Sequence, residues 1–139
     1  MKIRPMSRAA AVVLPLLALA LSGTAGAQKP EHCKAGVCNV DVTVQSCEKG
    51  IMAAVPDPVS VKASNKIEWT LQTDGYKFPA DGIKIAVDDY DGHSATGNGR
   101  KFAVRDRHTK RGDHKYAIKV VRISDNKTCK VWDPVIRNE

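Results

Sequence analysis

Helical periodicity is what this sequence most lacks. Beyond residue 27, no window longer than about ten residues repeats its apolar positions every three to four places. Crossover helices are therefore missing, and parallel α/β folds are excluded with them. Aromatic residues are scarce at 5%, with two Trp, three Tyr and two Phe. The core has to come from Val and Ile, and there is no row of aromatics on which nucleic-acid bases would stack. Catalytic signatures are missing too. There is no Gly-x-Ser-x-Gly elbow and no His-Glu-x-x-His zinc motif, and Ser94 beside His93 is a loop neighbour rather than a charge-relay pair. No catalytic residue is assigned.

What is present begins with an export leader. Lys2, Arg4 and Arg8 form a basic start, residues 9–21 an apolar run short for a membrane span, and Ala25-Gly26-Ala27 a small-residue exit. These are the three parts of a signal peptide, a short apolar helix cleaved after Ala27. The leader takes three of the 22 Lys and Arg with it, so the formal charge of +7 shrinks to a mild basic excess. The expected organisation is a signal peptide over 1–27, a loose N-terminal segment over 28–38 and one domain over 39–139. After cleavage the chain does not span a membrane. Its expected address is the periplasm, or the medium if it is fully secreted, and its expected state is a monomer.

All four cysteines follow the leader: Cys33, Cys38, Cys47 and Cys129. An even count in an exported chain reads as two disulfides, for which three pairings exist. Cys33 with Cys38 and Cys47 with Cys129 is the favoured pairing. The first closes a tight loop that Gly36 allows to turn, and the second ties the end of the first strand to the end of the chain. In the chain-entropy account the long loop contributes about 4 kcal/mol and the short one about 2 kcal/mol.

The rest of the chain reads as short strands. Val40, Val42 and Val44 alternate with polar residues, and residues 51–55 form a second apolar segment that Pro56 and Pro58 break. Val59-Ser60-Val61 precedes the cleanest alternation, in which Ile67, Trp69 and Leu71 point one way and Glu68, Thr70 and Gln72 the other. Trp69 is the expected core anchor. Residues 83–87 alternate again, whereas residues 88–100 are rich in Gly, Asn and Asp, show no period and read as a long loop. Residues 102–104 form a short strand, 105–113 a charged loop, 116–123 a strand covered on both faces at its far end, and 128–132 the last strand, ended by Asp133-Pro134. Short strands at regular spacing predict an all-β fold, an antiparallel β-sandwich.

The order of these motifs resembles a cupredoxin-like domain. The likeness rests on Val59-Ser60-Val61, on Ile67, Trp69 and Leu71, on the aromatic pair Tyr76 and Phe78, on Tyr116, Ile118 and Val120, and on the cysteine-bearing region after Cys129. It covers most of residues 40–136 and implies the Greek-key sandwich. Copper-binding members of that family carry a late cluster of Cys, His and Met. Here no His or Met follows Cys129, and Met52 is the only methionine beyond the leader. The resemblance therefore implies the fold without the blue-copper ligand set.

Three patches remain as candidate chemistry. Asp88, Asp89, Asp91 and Gly92 recur at nearly the spacing of a calcium loop, but Val87 stands where the first ligand belongs and Asn98 where the closing Glu belongs. Arg111-Gly112-Asp113 matches an adhesion tripeptide, a match too short to weigh. The third is a basic cluster, Arg100, Lys101, Arg105, Arg107, Lys110, Arg111 and Lys115, with His108 and His114 among it. In an exported protein such a cluster points to an anionic surface, either lipid headgroups or anionic polysaccharide, and not to nucleic acid. The expected function is a disulfide-stabilised, non-enzymatic binding or structural protein of the cell envelope, with no cofactor and no metal. The alternative is a periplasmic copper- or zinc-handling protein using His32 with the thiolates of Cys33 and Cys38, or using His93, His108 and His114.

Overall fold

The structure, a computed structural model, describes residues 32–139. The expected signal peptide and the first residues after it lie outside the described residues. Within them the chain has no helix and thirteen strands: β1 (Cys33–Lys34), β2 (Val37–Ser46), β3 (Gly50–Val55), β4 (Val59–Val61), β5 (Asn65–Leu71), β6 (Tyr76–Lys77), β7 (Ile83–Ile85), β8 (Tyr90–Thr96), β9 (Lys101–Asp106), β10 (Gly112–Ile118), β11 (Val121–Arg122), β12 (Lys127–Thr128) and β13 (Val135–Asn138).

These strands form two layers. The first is a six-stranded sheet in the order β1-β2-β5-β9-β8, with β3 also paired to β2. The second holds β4-β13-β10-β7, extended by the small ribbon β12-β11-β6. Alternation assigns the inward faces. Val40 and Val42 of β2, Ile67, Trp69 and Leu71 of β5, and Phe102 and Val104 of β9 are buried from one side. Val59 and Val61 of β4, Tyr116 and Ile118 of β10, and Ile136 of β13 are buried from the other. The layers meet where the Trp69 indole Nε1–H donates to the Tyr116 hydroxyl at 3.1 Å, with the ring centroids 5.3 Å apart. Burial pushes the Tyr116 hydroxyl well above its ordinary ionisation range, so it stays a neutral acceptor.

Two disulfides staple the fold, Cys33–Cys38 and Cys47–Cys129, the pairing favoured on sequence grounds. The first joins β1 to β2 within the stretch expected as a loose lead. The second anchors the end of β2 to the segment after β12, where Lys130 N–H also donates to the Cys47 carbonyl.

Four expectations need correction. The sandwich is mostly antiparallel but not wholly so, because β5 runs parallel to β2 and β13 parallel to β4. No helix is needed for the first of these crossovers. The chain leaves β2 through β3, passes to the other layer in β4 and returns as β5. Residues 88–100 are not all loop, since β8 pairs with β9 along the sheet edge with a bulge between Asp91 and Ser94. Every residue of β8 except Tyr90 is exposed, so no buried face imposes a period of two. The segment 128–132 contributes only the end of β12 and a bridge from Trp132 to Ile118. Finally, Pro134 does not end the last strand but precedes it. β13 was hidden because it buries Asn138 next to its single buried apolar residue, Ile136.

The cross-layer bond gives a direct prediction. Tyr116→Phe keeps the ring but leaves the buried indole N–H without an acceptor. Urea unfolding followed by tryptophan fluorescence should show a loss of about 1–3 kcal/mol. An unchanged midpoint would mean that the bond contributes nothing to joining the layers.

Candidate functional site

One end of the sandwich gathers the polar residues that a hydrophobic pattern cannot explain. The register puts the starts of β2, β5, β8 and β10 there with the ends of β4, β9 and β13. Four polar side chains are buried at or beside this end: Asp89, Asp106, His114 and Asn138.

Asp89 organises the loop 107–110. Its residue is 0% exposed. One carboxylate oxygen accepts the backbone N–H groups of Thr109 and Lys110, each at 2.9 Å, and the other accepts the Thr109 hydroxyl. The Asp89 carbonyl accepts Arg107 N–H at 2.9 Å, and the Arg107 guanidinium lies 3.9 Å from the carboxylate. Burial pushes the Asp89 carboxyl upward, but the Thr109 hydroxyl, the two backbone amides and Arg107 outweigh it and hold it below the ordinary range. The loop is thus wrapped around an ionised carboxylate.

Asp106, at the end of β9, is the opposite case. It is 0% exposed, and one oxygen accepts His108 N–H at 2.8 Å and the Asn138 amide at 3.3 Å. Burial pushes this carboxyl above the ordinary range, and the nearby Asp89 charge adds to the shift. Its second oxygen, Asn138 Oδ1 and His108 Nδ1 are buried with no hydrogen-bond partner. His108 adopts a left-handed φ of 57°, and its Nε2–H donates to the Glu139 carbonyl at 3.0 Å. The Tyr90 hydroxyl lies 2.6 Å from His114 Nδ1, and burial, followed by the Asp106 and Asp89 charges, raises its ionisation above the usual range.

The seven cations of the linear cluster are dispersed. The Arg100 guanidinium donates to the carbonyls of Thr73 at 2.7 Å and Leu71 at 2.8 Å and sits 3.3 Å from Asp74, at the opposite end of the molecule. Lys101 shares Glu68 with Lys66, at 2.9 Å and 2.8 Å. Arg105 reaches Asp91 at 3.8 Å, and Arg107 touches Asp88, Asp89 and Asp91 at 3.3–4.0 Å. The acidic loop therefore turns its carboxylates toward arginines and backbone amides. Lys110, Arg111 and Lys115 are exposed and form no ion pair among the described residues. Asp113 of the Arg-Gly-Asp tripeptide is committed to Arg137 in a two-pronged pair at 2.8 Å and 3.0 Å.

Two cations that the linear reading did not group with the loop share its end of the molecule. Lys62 follows β4, where the Val61 carbonyl accepts Glu139 N–H and the Ser64 hydroxyl donates to the Asp106 carbonyl. Lys34 precedes the start of β2. Both are exposed and without an ion pair among the described residues. They are distant in sequence, and only the register of β2 and β4 brings them to this end. Beside them on the outer face of the first sheet lies an open groove of about 400 Å³, whose lining includes Gly36, Ser64, Asn65, Gly92, Ser94 and Arg105.

The alternative metal site is arranged otherwise. Cys33 and Cys38 are joined to each other, so neither offers a thiolate beside His32. Among the described residues no cysteine is free, and no group of three or more His, Cys, Asp or Glu side chains is placed to hold a metal ion. The chain matches no known family and no curated protein.

Replacing Asp89 tests its role as the centre of the loop. Asp89→Asn exchanges a charged double acceptor for an amide whose NH2 faces backbone N–H groups, and should cost about 2–4 kcal/mol with loss of exchange protection at Thr109 and Lys110. Because the folded-state carboxyl ionises below its unfolded value, its contribution is present above about pH 4 and is lost as pH falls through the lowered value. Hydrogen exchange at these two amides, read from pH 7 downward, checks both statements.

Proposed function

We propose that this chain is an exported, non-enzymatic binding or structural protein of the cell envelope, a monomeric Greek-key sandwich of the cupredoxin-like kind. It engages an anionic surface through one end. The observation that carries this reading is the set Lys34, Lys62, Lys110 and Arg111. All four are exposed at the same end, and none has a carboxylate partner among the described residues. Behind them Asp88, Asp89 and Asp91 offset Arg105 and Arg107 and limit the local charge. The site is therefore a shallow electrostatic contact for phosphate-bearing headgroups rather than a deep pocket. Two disulfides with no free cysteine among the described residues suit an oxidising compartment, periplasmic or extracellular. The leader at residues 1–27 supports the same address.

Each cation near an anionic membrane contributes about 1 kcal/mol, roughly fivefold in affinity. The double variant Lys110→Gln/Arg111→Gln should therefore bind phosphatidylglycerol vesicles about 30-fold more weakly, and adding Lys62→Gln should weaken binding further. Wild-type binding should fall as salt rises and be absent on neutral vesicles. Lys101→Gln, away from this end, should bind as wild type. Vesicle co-sedimentation with tryptophan fluorescence as a folding control reads all four proteins. Equal binding by the double variant would remove the loop from the function.

A further inference from the structure

Two of the buried atoms without partners belong to groups that are already in contact. Asn138 Nδ2 donates to Asp106 Oδ1 at 3.3 Å, and the same nitrogen donates to the Lys110 carbonyl at 3.1 Å. That uses both of its hydrogens. It also fixes the amide orientation, because the reversed amide would set its oxygen against two acceptors. Left over are Asp106 Oδ2 and Asn138 Oδ1, both buried and both acceptors when Asp106 is ionised. Two buried acceptors without donors cost free energy, and a negative charge on one of them costs more. A single proton removes the conflict. On Asp106 Oδ2 it makes that atom a donor, with Asn138 Oδ1 as acceptor. The carboxylic acid and the primary amide would then be joined by two hydrogen bonds in a closed ring.

We propose that Asp106 is held as the neutral acid in such a ring with Asn138, and that its ionisation releases the loop 107–111. The reading goes beyond the anionic-surface proposal and does not rest on it. The path to the loop is short. Asp106 Oδ1 accepts His108 N–H, Asn138 holds the Lys110 carbonyl, and His108 holds the Glu139 carbonyl. The titratable and charged groups around Asp106 are few. Asp89 precedes β8, Tyr90 and His114 bond to each other on β8 and β10, Arg107, His108 and Lys110 lie on the loop, and Glu139 follows β13. An ionised Asp106 would face the ionised carboxylate of Asp89 and leave Asn138 Oδ1 without a donor. Burial, which raises Asp106, and the hydrogen bonds that lower Asp89 act in the directions this arrangement requires.

The sign of the pH effect follows. A carboxyl whose folded-state ionisation lies above its unfolded value makes the folded state the better proton binder. Its stabilisation is complete below the unfolded value, near pH 4, and is lost as pH rises through the raised folded value, about tenfold in the folding constant per pH unit. This is opposite to Asp89.

The test follows the Asp106 carboxyl carbon by NMR across pH in the wild-type protein, together with exchange protection factors at Thr109 and Lys110. We expect Asp106 to titrate above its own value in the urea-unfolded chain, with protection at the two loop amides falling tenfold or more over the same interval. Asp106→Asn reproduces the acid as both donor and acceptor, and should keep the fold and abolish that fall. Titration of Asp106 at or below its unfolded-chain value would overturn the proposal, as would an unchanged pH-dependent loss of protection in Asp106→Asn. The wild-type titration decides the matter even if the variant does not fold. Vesicle binding is not part of the readout, so failure here and failure of the anionic-surface proposal are separate results.

Discussion

The bond between the Trp69 indole and the Tyr116 hydroxyl is the constraint on which the two layers depend. A core of valines and isoleucines is non-directional, and many registers would bury it equally well. A buried donor and a buried acceptor on opposite sheets accept only one register. With Trp69 fixed on β5 and Tyr116 fixed on β10, the neighbours fall into place: β2 and β9 beside the first, β7 and β13 beside the second. A chain with so few aromatic side chains has placed two of them, joined by a polar contact, at the centre of its packing.

How much of this was legible depended on whether burial left a pattern. Val40, Val42 and Val44, and Ile67, Trp69 and Leu71, are buried on one face and polar on the other, and they read as strands at sight. β8 did not, because an edge strand with one buried residue has nothing to alternate. β13 did not, because half of its buried pair is Asn138. The parallel partners of β2 and β13 are a matter of topology, which side-chain periodicity does not encode. At the polar end the difficulty was greater. Asp88, Asp89 and Asp91 look alike in sequence, yet one is fully buried and the other two face solvent. Only the fold distinguishes an aspartate that shapes a loop from one that decorates it.

The basic cluster shows the same limit from the other side. Seven cations within residues 100–115 look like one surface, but a strand, a loop and a second strand carry them in different directions. Arg100 became a clasp on the end of β5, whereas Lys110 and Arg111 remained free at the tip. The loop that presents them has no apolar residue of its own. Its shape comes from two carboxyl groups in adjoining sites, one stabilised by many donors and one short of them. Such pairs of unlike environments are how proteins push the protonation of chemically identical groups apart.

The two disulfides also differ in when the chain makes them available. Cys33 and Cys38 are five positions apart in sequence, whereas Cys47 and Cys129 are 82 positions apart. During synthesis or passage through a membrane, the first three cysteines emerge long before the fourth. In that interval Cys47 has only Cys33 and Cys38 as potential partners, and either choice would be wrong. Closure of the short β1–β2 loop removes both competitors at once and leaves Cys47 a single correct destination. Early closure of that small hairpin would reduce three possible connectivities to one.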